Sequence, residues 1–96
     1  MNCNDVISSL RNAKEEIHRK YRVKEIGIFG SVARGTAKDE SDIDIYAEFE
    51  QEADILDFSG LSLELEEMFH RPIDIATPQG IREEMRAMVF RDLILV

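Results

Sequence analysis

Two aspartates in an apolar stretch are the first residues of this 96-residue chain whose types and spacing could do chemistry. Asp42 and Asp44 are separated by one residue, so in a β-strand both carboxylates project from the same face. Two such carboxylates repel each other, and a divalent cation removes that conflict. Ligation by oxygen alone suits Mg²⁺ or Mn²⁺. The alternative is an amphipathic strand whose polar face carries acids without a ligand.

A Gly-Ser pair ends a β-rich segment twelve residues before the first of these acids. Gly30 would let the backbone approach a ligand closely, and the amides of a helix start carry partial positive charge. The Ser31 hydroxyl could donate to a phosphate oxygen. A simple turn is the commoner explanation of an isolated Gly-Ser pair.

A third acid, Asp74, lies between Ile73 and Ile75, in a stretch predicted to be a largely buried strand. A buried carboxylate is costly unless it is paired or bound to a metal. If this strand neighbours the one that carries Asp42 and Asp44, three oxygen ligands converge on one patch of sheet. Such a patch facing a phosphate-binding helix start is what two-metal phosphoryl or nucleotidyl transfer requires.

Helical and strand periodicities alternate along the chain and predict the elements that position these residues. The predicted helices cover 5–20, 31–37, 58–69 and a stretch that starts at Thr77-Pro78, and the predicted strands cover 23–29, 41–49, 72–76 and 93–96. The last of these strands either completes the sheet or docks a partner. Interleaved acidic and basic residues in the last helix, Asp92 among them, predict a solvated face. The order α-β-α-β-α-β-α, with the final strand optional, predicts one α/β (α+β) domain of two layers over residues 1–96.

Composition and charge exclude several classes of function. The net charge of −8 argues against a nucleic-acid platform, because phosphate backbones are bound by clustered Lys and Arg. The apolar run 93–96 is too short to span a bilayer, and the first residues lack the pattern of a signal peptide. The single cysteine, Cys3, cannot form an internal disulfide. We therefore expect a cytoplasmic protein that contacts neither membranes nor nucleic acid directly.

The spacing of Gly30-Ser31, ten residues and Asp42-x-Asp44 resembles the signature of the DNA polymerase β-like nucleotidyltransferase superfamily. The fuller strings, Gly-Ser-Val-Ala-Arg-Gly at 30–35 and Ser-Asp-Ile-Asp at 41–44, resemble its minimal branch, the MNT domains. The resemblance spans nearly the whole chain. It implies a nucleotidyltransferase fold with a short mixed sheet flanked by helices. It also implies an enzyme that transfers a nucleoside monophosphate from an NTP to a hydroxyl.

The same resemblance implies a role for each site residue. Asp42 and Asp44 would each ligate two Mg²⁺ ions, for which Mn²⁺ is the alternative. Asp74 would ligate only the ion that activates the acceptor hydroxyl, and it would help to remove the hydroxyl proton. Gly30 and Ser31 would hold the β- and γ-phosphates. Arg34 is a candidate to pair with the triphosphate, and an exposed helix surface explains this arginine equally well.

MNT domains of this size are similar to the antitoxin of prokaryotic HEPN/MNT toxin–antitoxin modules. That similarity implies AMP transfer from ATP to a tyrosine of the HEPN ribonuclease toxin, which would be the partner of this chain in a hetero-oligomer. Two alternatives stay open: a non-catalytic antitoxin that neutralises the toxin by complex formation, and nucleotidyl transfer to a small molecule by a homodimer. The three acids favour an enzyme, because an inactive descendant is free to lose them.

Overall fold

The computed structural model describes residues 2–38 and 41–96. The elements in chain order are α1 (Cys3–Tyr21), β1 (Val23–Phe29), α2 (Gly30–Arg34), β2 (Ile43–Phe49), α3 (Ile55–Phe69), β3 (Ile73–Ala76), α4 (Glu83–Asp92) and β4 (Ile94–Leu95). This is the predicted order with the last strand present. Among the described residues, no helix is both long and apolar enough to cross a membrane.

Local hydrogen bonds set where the two long helices begin. At the start of α1, the Asn2 side chain accepts from the Asp5 amide at 2.9 Å and the Asp5 side chain accepts from the Asn2 amide at 3.0 Å. Asp54 and Asp57 form the same reciprocal pair at the start of α3. Each pair satisfies amides that lack a partner inside the helix. The helices therefore begin two or three residues before the apolar periodicity does.

The four strands form one mixed sheet in the order β3-β2-β1-β4. Strand β1 is antiparallel to both β2 and β4, whereas β2 and β3 are parallel. A parallel pair needs a crossover connection, and α3 supplies it. The mixed sheet flanked by helices confirms the predicted fold class.

The C-terminal strand completes the sheet at the edge of β1. Its two residues pair with Gly27 and Ile28, and the Val96 amide donates to the Ile26 carbonyl at 3.0 Å. A Cβ at position 27 would overlap the Ile94 carbonyl oxygen, so the close approach of β4 requires glycine there. Of the two roles considered for the apolar tail, the structure shows sheet completion.

One face of the sheet carries the hydrophobic core, which α1 and α3 cover. Branched side chains from both helices and from the two central strands are almost entirely removed from water, and each contributes about 1.5–3 kcal/mol by its burial. The buried cluster consists of Val6, Leu10, Ile17, Val23, Ile26, Ile28, Val32, Ile43, Ile45, Ala47, Leu61, Leu65 and Phe69.

The opposite face of the sheet carries the polar positions of β2, and α4 lies against it. Tyr46 is buried on this face, where its ring meets Phe90 of α4 edge-on at a centroid distance of 5.7 Å. Because side chains alternate along a strand, Asp44 projects from the same face as Tyr46. Helix α4 therefore lies on the side of the sheet that carries the predicted site.

The predicted start of the last helix at Thr77-Pro78 is wrong. Residues 77–80 form a turn in which the Gly80 amide donates to the Thr77 carbonyl at 3.0 Å and to its hydroxyl at 3.2 Å. The threonine hydroxyl therefore caps this turn instead of a helix. Helix α4 begins at Glu83, and Arg86 Nη1 ties it back to the turn by donating to the Pro78 carbonyl at 2.9 Å.

Candidate functional site

Strand β1 ends at Phe29, and the chain turns sharply at Gly30 into α2. The backbone φ of Gly30 is +68°, which favours glycine, and a Cβ at this position would overlap Asp44 Oδ2. Gly35 closes α2 after little more than one turn, with its amide donating to the Val32 carbonyl at 3.1 Å. Phe29 makes no side-chain hydrogen bond to the first amides of α2. These amides are donors that the helix itself cannot satisfy.

The three predicted acids, Asp42, Asp44 and Asp74, lie where the parallel strands β2 and β3 begin. We call this end of the sheet its acidic edge. Asp44 on β2 and Asp74 on β3 are direct register partners in the parallel pair, in which strands lie about 4.8 Å apart. Asp42 lies one residue before β2. Burial raises the pKa of Asp44 above its ordinary value of 3.8, the charges on Asp74 and Asp42 raise it further, and Arg34 opposes them. The three carboxylates and Arg34 therefore influence one another electrostatically.

The predicted burial of Asp74 is wrong, because its side chain is exposed. Strand β3 is an edge strand of four residues, and its neighbours Ile73 and Ile75 are only half-buried. The cost of burying a charge is therefore no argument for assigning Asp74 to a metal site. Its position beside Asp44 follows instead from the register of β2 and β3.

The donor set at this edge suits a divalent cation. Carboxylates are hard oxygen ligands, and Asp44 lies against the Gly30 turn with a pKa raised by its burial and then by the charges on Asp74 and Asp42. Within residues 2–38 and 41–96, no three acidic, histidine or cysteine side chains form a ready-made ligand cluster. The acids share an edge of the sheet without surrounding a common point.

A pocket of about 360 Å³ joins the start of α2, the acidic edge of the sheet and α4. Every predicted site residue except Asp42 lies in its wall. Helix α4 adds an apolar side to the pocket, where two methionines are more than 40% exposed. The lining residues are Phe29, Gly30, Ser31, Arg34, Asp44, Asp74, Met85, Met88, Val89 and Asp92.

Asp92 is a residue of this pocket that the sequence pattern placed on a solvated face. Its side chain is only 10% exposed, and its Oδ2 accepts from Arg34 Nη1 at 2.7 Å. The hydrogen bond from Arg34 holds the pKa of Asp92 below its ordinary value. An acid in the last turn of a helix is disfavoured by the helix dipole. That mismatch is the signal in the sequence that Asp92 requires a cationic partner.

A wider hollow of about 930 Å³ lies at the opposite end of β1. Its wall mixes basic and acidic side chains from α1, β1 and the segment after β2, and it contains none of the predicted site residues. Interleaved charges of both signs do not select a polyanionic ligand. The smaller pocket, which contains five of the six predicted site residues, is therefore the candidate site.

Residues 10–96 match the model of the nucleotidyltransferase domain family. The chain is 33% identical over 92 residues to protein adenylyltransferase MntA of Thermococcus cleftensis, and the match covers 96% of this chain and 93% of that protein. It also resembles a solved "putative minimal nucleotidyltransferase", with 31% identity and a TM-score of 0.81 over 98% of this chain and 95% of the other.

A more distant likeness is to a crystal structure of a toxin–antitoxin with AMP-PNP, at 22% identity and a TM-score of 0.68. That match covers 99% of this chain and 72% of the other, and at this identity it concerns the fold alone. The family match spans the Gly30 turn, the acidic edge and α4. The chain is thus a nucleotidyltransferase, a member of the nucleotidyltransferase domain family.

Proposed function

We propose that this chain transfers AMP from ATP to a tyrosine hydroxyl of a HEPN ribonuclease toxin, and thereby acts as its antitoxin. The observation that carries the proposal is the pairing of Asp44 with Asp74 beside the Gly30 turn. The name of the Thermococcus relative, a protein adenylyltransferase, supports ATP as donor and a protein as acceptor. The resemblance of the motif to HEPN/MNT antitoxins supports the toxin as partner. A single domain over residues 1–96 and a prokaryotic cytoplasm belong to the same proposal.

The residues of the pocket have different roles in the proposed reaction. The acceptor oxygen attacks the α-phosphorus of ATP, the bond from that phosphorus to the α,β-bridging oxygen breaks, and pyrophosphate leaves. Asp74 takes the hydroxyl proton, since it is the exposed one of the two predicted acids that line the pocket. Ser31 and the first amides of α2 hold the β- and γ-phosphates, because Gly30 and Ser31 line the pocket at a helix start.

Asp42, Asp44 and Asp74 would hold two Mg²⁺ ions, or Mn²⁺ in their place. Bound there, the ions would lower the pKa of the acceptor hydroxyl and neutralise charge on the leaving pyrophosphate. The raised pKa of Asp44 supports this assignment, because its ionised form is disfavoured until positive charge is added nearby. Arg34 adds a permanent positive charge in the same pocket.

A double substitution of the paired acids tests the activity. Asp42→Asn with Asp44→Asn should abolish Mg²⁺-dependent transfer of label from α-labelled ATP to the purified toxin, without changing the circular dichroism spectrum. Glu48→Gln is the matched control, since it removes a carboxylate from the same strand at an exposed ion pair with Lys24. Undiminished transfer by the double variant would refute the assignment of the acids.

Purification of the chain from its native cell tests the acceptor. We expect a stoichiometric partner that carries an AMP-sized mass increment on a tyrosine, located by peptide mass spectrometry. If the partner is unmodified and the Asp42→Asn, Asp44→Asn variant still silences it, neutralisation occurs by complex formation. If label instead passes to a small molecule and to no protein, the protein acceptor is wrong.

A further inference from the structure

An ion pair between Arg34 and Asp92 joins α2 and α4, the two helices that line the pocket. Arg34 is the last residue of α2 and Asp92 the last residue of α4, 58 positions later in the chain. Nη1 of the guanidinium donates to Asp92 Oδ2 at 2.7 Å, and both residues line the pocket beside Ser31. The ion pair therefore connects α4 directly to the short helix that starts at the Gly30 turn.

The two partners differ in how freely they can move. The Asp92 side chain is 10% exposed, whereas that of Arg34 is 43% exposed. Arg91 also approaches Asp92, with its Nε 3.5 Å from Oδ1, but the Arg91 side chain is 70% exposed and its charge is largely screened. Arg34 is therefore the partner that compensates the enclosed carboxylate of Asp92 at the unfavourable end of a helix dipole.

The guanidinium of Arg34 is hydrogen-bonded to Asp92 through one nitrogen, Nη1. Among the described residues, Nη1 is the Arg34 nitrogen with a hydrogen-bond partner. A guanidinium is a planar fork with five donors, so one edge can hold a carboxylate while another edge meets a phosphate. The positive charge of Arg34 also acts on Asp44, which places it within electrostatic reach of the acidic edge.

We infer that Asp92 is a positioning residue, which holds the Arg34 guanidinium toward the triphosphate of bound nucleotide. Asp92 keeps its hydrogen bond when nucleotide binds, because releasing Arg34 would leave an enclosed carboxylate without a counter-charge. Arg34 thus presents its free donors to the phosphates from a fixed position. The inference rests on the proposed function in one respect, that the pocket receives a nucleoside triphosphate.

Asp92→Asn tests the inference, because asparagine has the same shape without the charge that orients the guanidinium. We expect the KM for ATP to rise by about tenfold, the range set by loss of a charge-assisted hydrogen bond, with kcat changed less than about twofold. Binding of AMP-PNP and of inorganic tripolyphosphate, measured by calorimetry without acceptor, should weaken by the same factor. Thermal unfolding without ligand shows whether the fold is kept.

A double-mutant cycle separates positioning from a general effect of charge. In an Arg34→Ala background, adding Asp92→Asn should leave AMP-PNP affinity unchanged within about twofold, because Asp92 acts only through Arg34. Arg91→Gln removes the other cation near Asp92 and should keep wild-type affinity. Equal weakening by Asp92→Asn in the presence and absence of Arg34 would overturn the inference.

Arg34→Lys provides a second arm if Asp92→Asn does not fold. A lysine ammonium is a point charge that cannot hold the carboxylate and a phosphate in a fixed fork, so we expect the KM for ATP to rise by about tenfold relative to wild type. Wild-type KM for Arg34→Lys would show that charge alone suffices and would refute positioning.

Tighter nucleotide binding by Asp92→Asn would show that Asp92 blocks Arg34, which also refutes the inference.

The outcomes for this inference differ from those for the proposed function. If the wild-type chain binds neither AMP-PNP nor tripolyphosphate, the proposed function fails first. If the wild-type chain binds nucleotide and transfers label, and Asp92→Asn matches it in KM and affinity, only the role of Asp92 is wrong.

Discussion

Asp44 and Asp74 lie opposite each other in the parallel pair of β2 and β3, and Asp44 also faces Phe29 across the antiparallel pair with β1. The carboxylate of Asp44 therefore has a second acid on one side and the Gly30 turn on the other. Asp44 is half-buried, whereas Asp74 is exposed at the sheet edge. This relationship places an exposed acid next to a half-buried acid that faces the Gly30 turn.

Gly30→Ala should impair both stability and activity. An alanine at a positive φ costs about 1–2 kcal/mol, and here its Cβ would also overlap Asp44 Oδ2. Gly35→Ala is the matched control, because Gly35 has φ +78° and a Cβ at that position would meet nothing within 4 Å, so only the backbone cost applies. Urea unfolding should show a larger loss of stability for Gly30→Ala than for Gly35→Ala. Label transfer should be lost only in Gly30→Ala. Equal effects of the two substitutions would contradict the importance of the contact with Asp44.

Asp74→Asn should remove activity without a cost in stability. The side chain is exposed, so its replacement should change the free energy of unfolding by less than about 0.5 kcal/mol. Loss of a proton acceptor should lower kcat by about 10²–10⁴-fold. Glu67→Gln, at an exposed position of α3, is the control for loss of one surface charge. Normal kcat in Asp74→Asn would exclude Asp74 as the base.

Glu64 should make part of the stability of the chain depend on pH. Burial raises the pKa of Glu64, but the hydrogen bonds from Tyr21 at 2.7 Å and Lys20 at 2.9 Å lower it more, so the net shift is below the ordinary value of 4.5. A carboxyl whose folded-state pKa is depressed stabilises the fold above the unfolded pKa and loses that contribution as the pH falls through the folded pKa.

Glu64→Gln should therefore lower the free energy of unfolding by about 1 kcal/mol at pH 7, as expected for hydrogen bonds to a charged group. The difference from wild type should shrink below pH 4.5 as Glu64 takes up its proton. Glu16→Gln, which breaks the more exposed ion pair with Lys20 at 3.8 Å, should change stability much less. Urea unfolding between pH 3 and 7 gives the free energy of unfolding of wild type and both variants. A difference between wild type and Glu64→Gln that does not change with pH would contradict the linkage.

Much of the local structure could be predicted because its causes lie within a few residues of sequence. The alternation of Asp42, Ile43 and Asp44 sets which side chains share a face of β2, and burial follows it as far as Ile45, whereas Tyr46 is buried on the opposite face. The Gly30 turn after a β-rich run was predicted for the same reason, since backbone freedom and strand propensity are local. The main local error, the start of α4, arose because a threonine hydroxyl caps a turn as readily as it caps a helix.

Residues close together in the chain are enough to predict the order of the elements, the turn at Gly30 and the pair Asp42 and Asp44, together with the family that these residues indicate. The tertiary structure decided that Asp74 meets Asp44 through strand register at an exposed edge, and that Asp92 closes on Arg34 from 58 residues away. Both relationships depend on how α3 and α4 pack on the sheet. No periodicity or local hydrogen bond specifies contacts over such separations, because the packing that brings these residues together is stabilised by burial that exists only once the whole core has formed.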